Sequence, residues 1–150
     1  MMDYGDISKA IQDQLVGNST FKAILRNQSV SRGEFLNSES RFTPWAGVYR
    51  GKIKFEPMTL GSVQNWEFKG EVRVLLQVSN KESGEKCEDT LEDFVKAAHD
   101  AILSDTTIGG TVDIVTGFEV EYSYKEDERS GLHFQLATIT YRFEGDTDGN

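Results

Sequence analysis

The spacing of apolar residues marks out one dominant helix. Cys87, Leu91, Phe94, Val95, Ala98, Ala101 and Ile102 recur at helical intervals. At about 100° per residue they share an arc of roughly 120°, the width of a core-facing stripe. Glu88, Glu92, Lys96, His99 and Asp100 fall on the other side. Glu85, Glu88 and Asp89 load the first turn with the charge that the helix dipole favours there. The chain then passes Ser104, Asp105, Thr106 and Thr107, turns at Gly109-Gly110 and re-enters as an alternating strand. A shorter helix is predicted over residues 4–16, where Ile7, Ile11 and Leu15 repeat beside Ala10, with Asp3 or Asp6 as cap and Gly17-Asn18 as stop. Ser19-Thr20 start a further turn that brings Phe21, Ile24 and Leu25 to the core.

Elsewhere the period is two. Tyr49, Ile53 and Phe55 are expected on one face of a strand, with Arg50, Lys52 and Lys54 on the other. A loop over 57–65 precedes the cleanest strand, in which Trp66, Phe68, Val72, Val74, Leu76 and Val78 alternate with Glu67, Lys69, Glu71, Arg73 and Gln77. After Gly109-Gly110, Phe118, Val120, Tyr122 and Tyr124 alternate with Glu119 and Glu121, and Gly117 predicts a bulge or bend. Residues 125–131 read as a charged hairpin loop. The last strand changes phase. Leu132, Phe134 and Leu136 use one face and Ala137, Ile139, Tyr141 and Phe143 the other, so either a bulge flips it near Leu136 or both faces are covered. Residues 27–45 are polar for longer than an ordinary connection and read as a long loop, or as an arm that orders against a partner. Residues 144–150 read as an acidic, flexible tail.

These elements predict a single α+β domain over 1–150: a mainly antiparallel four-stranded sheet made of two hairpins, with the N-terminal helix and the central helix on one face. The other face is expected to be wet or to meet another subunit.

Charge narrows the function. The net charge of −9 argues against a general binder of nucleic acid or anionic membrane. It is also uneven: residues 22–73 carry nine basic and five acidic side chains, residues 74–150 six basic and seventeen acidic. A fold with one cationic and one anionic part can bind copies of itself head to tail, unless folding intermixes them. Arg50, Lys52 and Lys54 form a cationic row and Glu119 and Glu121 an anionic one. The rows either pair within one subunit, stay solvated, or meet between subunits in a heterologous contact that closes into a ring.

Motifs of catalysis are missing from the sequence. Cys87 and His99 lie twelve residues apart on one helix, roughly 18 Å, too far for a shared metal or a nucleophile–base pair. His133 brings no ligand spacing. Gly109-Gly110 opens a strand rather than a helix, so no phosphate cradle is indicated. The strand aromatics would suit a stacking platform for single strands, but their neighbours are acidic where such a groove is basic. No cofactor and no membrane span are expected, and Met1-Met2-Asp3 lacks the basic lead and apolar core of a secretory signal. A small binding or adaptor domain and a small acidic enzyme remain open beside a structural role.

The run His99-Asp100-Ala101-Ile102-Leu103-Ser104-Asp105-Thr106-Thr107-Ile108-Gly109-Gly110-Thr111-Val112-Asp113 resembles the tail terminator (tail completion) proteins of long-tailed bacteriophages. Thr138-Ile139-Thr140-Tyr141-Arg142-Phe143, the short N-terminal helix and the Pro44-Trp45 approach to the first strand fit the same order. The resemblance implies a non-enzymatic ring, usually a hexamer, at the head-proximal end of the virion's tail, assembled in the host cytoplasm. It implies as partners other copies of the chain, the tail tube protein and the head-completion or connector protein, with DNA passing through unbound. Within that picture Arg32, Glu34 and Phe35 on the 27–45 segment are candidates for touching the tube. Glu126, Asp127 and Glu128 are candidates for the lumen or the head side.

Overall fold

The computed structural model describes residues 7–33, 43–57, 66–127 and 131–147. Its elements are α1 (Ile7–Val16), α2 (Ser19–Ile24), β1 (Ser31–Arg32), β2 (Trp45–Pro57), β3 (Trp66–Asn80), α3 (Gly84–Leu103), β4 (Ile114–Asp127) and β5 (Leu132–Thr147). The class is α+β as expected, with two differences. Among the described residues there are three helices, and the sheet is mixed and five-stranded, in the order β1-β2-β3-β5-β4. Its extra strand, β1, pairs in parallel with β2 through Ser31–Gly47 and Arg32–Val48. Buried Val30 precedes it, so part of the expected 27–45 loop belongs to the sheet.

The two hairpins, β2–β3 and β4–β5, join through β3 and β5 at the centre of the sheet. Their ladder runs from Trp66–Thr147 to Asn80–His133 without a shift. Val72, Val74, Leu76 and Val78 of β3 and Ala137, Ile139, Tyr141 and Phe143 of β5 face the helices. Ile7, Ile11 and Leu15 of α1, Phe21 of α2, and Leu91, Phe94, Ala98 and Ile102 of α3 close over them. The regular ladder settles the phase change in β5: no bulge lies at Leu136, and Phe134 and Leu136 are half-buried on the outer face. The outer face is therefore partly dry. Trp45 and Leu75 are buried there, and a Cβ on Gly47 would stand 2.5 Å from the Trp45 ring, so only glycine lets the indole lie across the strand.

The strands run further than the periodicity predicts. β4 continues to Asp127, shortening the charged hairpin loop, and β5 continues to Thr147, so residues 144–147 are sheet and not tail. Gly145 permits this, because a Cβ there would meet the Phe68 ring at 2.6 Å. The bulge at Gly117 is present, with the register shifting between Val115 and Gly117. A second, unexpected bulge lies in β2 between Arg50 and Ile53. It reverses the expected faces: Tyr49 opposes Arg73 on the outer side, whereas Ile53 and Phe55 oppose Gly70 and Phe68 on the helix side.

The Gly-Gly turn after α3 is built around Asp105. Its carboxylate accepts from the Thr107 and Gly109 N–H groups, both at 3.0 Å, and from the Thr107 hydroxyl at 2.6 Å. Those bonds hold its pKa below the ordinary aspartate value. Gln14 of α1 donates to the carbonyls of Ala101, Ile102 and Asp105. The first two belong to the last turn of α3, where carbonyls lack a full set of partners within the helix. The turn drives the buried side chain of Ile108 into the core at φ 47°, a conformation unfavourable for a β-branched residue, and Gly109 and Gly110 follow at 63° and 80°. Asp105→Ala is expected to lower stability by about 1–2 kcal/mol near neutral pH. Since the folded pKa is depressed, that contribution is present above the unfolded carboxylate value and disappears as pH falls through the folded one. Urea unfolding of both chains at neutral and acid pH checks this: their stabilities converge in acid.

Candidate assembly surface

The chemistry-bearing side chains do not converge. Cys87 is buried in α3, where its thiol reaches the carbonyls of Val78 and His133 at 3.7 and 3.6 Å. Burial pushes its pKa up, away from a reactive thiolate. His99 is not on an open helix face as its position opposite the stripe predicts. Its ring lies 4.2 Å from that of Phe118, and its Nδ1 is 3.1 Å from the buried Tyr141 hydroxyl. Burial lowers the His99 pKa, opposed by the neighbouring Asp100 carboxylate, and raises that of Tyr141. The pair thus shares a neutral hydrogen bond beneath the edge of the sheet. Among the described residues no three His, Cys, Asp or Glu side chains group as metal ligands, and no helix is long and apolar enough to cross a membrane.

The two charge rows lie on opposite sides of the molecule. β2 and β4 are separated by β3 and β5, so the rows cannot pair across neighbouring strands. β4 is an edge: among the described residues it pairs with β5 alone. Its start is covered where the Val115 N–H donates to the Thr106 carbonyl. β2 is half an edge. β1 and the Gly33 N–H cover it at Gly47 and Val48, and residues 49–57 meet no further strand on that side among the described residues.

Local partners qualify the rows. Lys54 bonds Glu56 on its own strand at 2.9 Å, which holds the Glu56 pKa down. Glu119 reaches Arg142 of β5 at 2.5 Å. Glu121 is exposed opposite Thr138. Both ion pairs are solvent-exposed, so each contributes little to stability and leaves its charge to the surface field. Lys54 also stands opposite Lys69, a like-charge cross-strand pair that an anionic partner would relieve. Arg50 is displaced by the bulge and, with Tyr49, Arg73, Leu75 and Thr138, lines a shallow depression on the outer face.

Arg32 sits exposed on β1, backbone-paired to Val48. Glu126 and Asp127 end β4, paired to His133 and Leu132. Glu34, Phe35 and Glu128 lie outside the described residues.

The periodicity missed the apolar half of this surface. Of the large hydrophobic side chains exposed among the described residues, Ile114, Phe118, Tyr122 and Tyr124 belong to β4, and Phe55 and Trp66 to the β2–β3 hairpin; only Leu103 lies elsewhere. Phe118 is 41% and Tyr124 68% exposed, because α3 covers β3 and β5 and stops short of the edge. The alternation of β4 showed an apolar face. It did not show that the strand comes last in the sheet.

No family model matches the sequence, and no curated protein matches it. Among solved structures the chain is similar to one from the virion of a native gene transfer agent (GTA) particle, at 12% identity and a TM-score of 0.42, covering 92% of this chain and 94% of that one.

His99 makes the β4 edge sensitive to acid. Its folded pKa is lowered, so its contribution is complete above the unfolded imidazole value and is lost as pH falls through about 6.5 toward the folded value. Stability is expected to drop as pH falls below about 6.5. His99→Gln flattens that slope in denaturant titrations across the range.

Proposed function

We propose that this chain is a structural subunit of a phage tail, which assembles as a ring on the tail tube, ends its polymerisation and offers the surface that joins the head connector. The observation that carries the ring is the placement of Lys52 and Lys54 toward one end of the sheet and Glu119 and Glu121 at the other. A surface whose two complementary halves lie on opposite sides of the subunit associates head to tail, and such contacts close into rings. The place in the virion rests on the resemblance carried by residues 102–113 and by the order of the elements. The structure gives that run a mechanical role: the Asp105 turn and Gln14 fix the exit of α3 and so the start of β4.

The ring reading assigns the chain no catalysis. Its partners are further copies, the tube protein below and the connector protein above. DNA crosses a lumen whose acidic lining repels phosphate. Arg32 on the β1 edge and the Glu126-Asp127 end of β4 lie at opposite ends of the strand order, suiting contacts with different neighbours.

One observation favours an adaptor instead. Between α3 and β4 a cavity of about 210 Å³ is lined by Glu88, Leu91, Glu92, Tyr122, Tyr124 and Gln135. Two carboxylates and two phenol rings suit a cationic side chain.

Complementation decides between them. A phage stock lacking this gene is expected to make tubes of uncontrolled length without heads, and supplying the chain restores joined tails of uniform length. Lys52→Glu supplied instead restores few joined tails. Normal tails without the gene would remove the tail role.

A further inference from the structure

The cavity between α3 and β4 sets an anionic wall against an aromatic one. Glu88 and Glu92 stand one helical turn apart on α3, which puts their Cβ atoms about 5–6 Å from each other. Tyr122 and Tyr124 stand two residues apart on β4, about 7 Å, on the helix side opposite Ala137 and Gln135. The two walls are therefore of one length. Leu91 and Gln135, both buried, form the floor. The Gln135 Nε2 donates to the Gly84 carbonyl at 3.0 Å. Its Oε1 accepts from no described group, and no described side-chain oxygen is sealed away unpaired, so that oxygen opens on the cavity.

We propose that this cavity takes the arginine side chain of a basic partner protein. The site goes beyond the ring and deepens the adaptor reading, on which it rests. At about 210 Å³ the space falls below the roughly 300–1,000 Å³ of a small-molecule site and suits one long side chain. A guanidinium is flat, stacks on a phenol face and carries five N–H donors, enough to serve a carboxylate and the Gln135 Oε1 together. A lysine ammonium is a compact point charge that is more strongly hydrated, so it fits the flat rings less well and loses more hydration on entering. The carboxylates are available. Glu92 stands 3.9 Å from Lys96 in an exposed contact of little strength, and Glu88 meets no cation among the described residues.

The surroundings point to an arginine carried on a protein. Tyr122 and Tyr124 are 48% and 68% exposed, and Phe118 continues the same face of β4 at 41%. A partner surface around the arginine covers these rings and excludes water from the buried charge contact, the arrangement in which arginine anchors an interface. The net charge of −9 favours a basic partner over a second copy of this chain. Glu119 and Glu121 lie opposite Thr140 and Thr138 on the outer face of β4, so the arginine site leaves them free for the contact that the ring reading gives them.

The test titrates the full chain with N-acetyl-arginine amide, and with its lysine and citrulline counterparts, while the ring NMR signals of Tyr122 and Tyr124 are followed. The arginine compound is expected to shift both rings with a Kd in the millimolar range. The citrulline compound keeps the shape without the charge and binds weaker on the order of tenfold or more, and the lysine compound lies between. A chain carrying Glu88→Gln and Glu92→Gln, and another carrying Tyr124→Leu, each lose on the order of tenfold in affinity for the arginine compound. Their unfolding curves stay close to wild type, because these side chains are exposed. Rings that do not shift, a citrulline compound that binds as well as arginine, or a double variant that binds like wild type would each overturn the site. Rings that shift with the chain's own concentration, before any compound is added, assign the arginine to a second copy and overturn the separate partner. Complementation is scored apart from these titrations. A chain that binds the arginine compound and completes no tails keeps this site and loses the tail role, and one that binds it and also closes into rings keeps the site while the adaptor reading falls.

Discussion

Everything in this fold hangs on the pairing of β3 with β5. The two hairpins are local structures, and neither buries an apolar face alone. Their central strands pair over the full length of β3, from Trp66 to Asn80, without a break. That ladder makes one platform of two hairpins, gives α3 a surface on which Leu91, Phe94, Ala98 and Ile102 can be buried, and pushes β2 and β4 outward. The regularity of the centre contrasts with the strands on either side, each of which carries a bulge. A bulge in the ladder would slip every side chain beyond it to the wrong face, and the core would lose Val72 to Val78 or Ala137 to Phe143 as a set. At the outer strands the same irregularity is tolerated.

Coverage follows from that arrangement. One helix of about 30 Å lies over the central strands and cannot also cover the margins. The aromatic side chains of β4 are therefore left partly in water, and Phe118 is sheltered mainly by the His99 ring. Exposed aromatics on an open strand are a liability in a lone subunit. The neutral His99–Tyr141 bond beneath them keeps the edge from carrying a buried charge at neutral pH.

Much of this was legible in the sequence, and the limits have physical causes. The α3 stripe, the alternation of β3 and the glycine bulge in β4 follow from residues within one element, where periodicity reports burial directly. The β2 bulge was invisible because Tyr49, Ile53 and Phe55 alternate well enough to imitate an unbroken strand; only the partner's register, Arg50 to Val72 and then Ile53 to Gly70, reveals the extra residue. The extent of β5 was hidden for the opposite reason. Residues 144–147 are polar, and they are sheet because β3 offers a ladder at Phe68 and Trp66. The β2 bulge sets Arg50 opposite Val72 and Lys54 opposite Lys69, on different faces, so Arg50 leaves the expected cationic row; Lys54 and the glutamates of β4 were readable as charged strand positions. That they stand at separated strands depends on the strand order, which no local pattern contains.

The charges do more than attract. Strand edges can pair with one another, and the charges on β2 and β4 weigh three combinations differently. β4 against β4 would bring Glu119 and Glu121 onto their own copies. β2 against β2 would do the same with Lys52 and Lys54. Both are two-fold contacts that end at a dimer, and both set like charges against each other at the closest approach of the chains. Only β4 against β2 combines opposite charges, and that contact is directional: it leaves one open edge at each end until the chain of subunits closes. On the proposed head-to-tail reading, the charge pattern disfavours both two-fold pairings and favours the directional one.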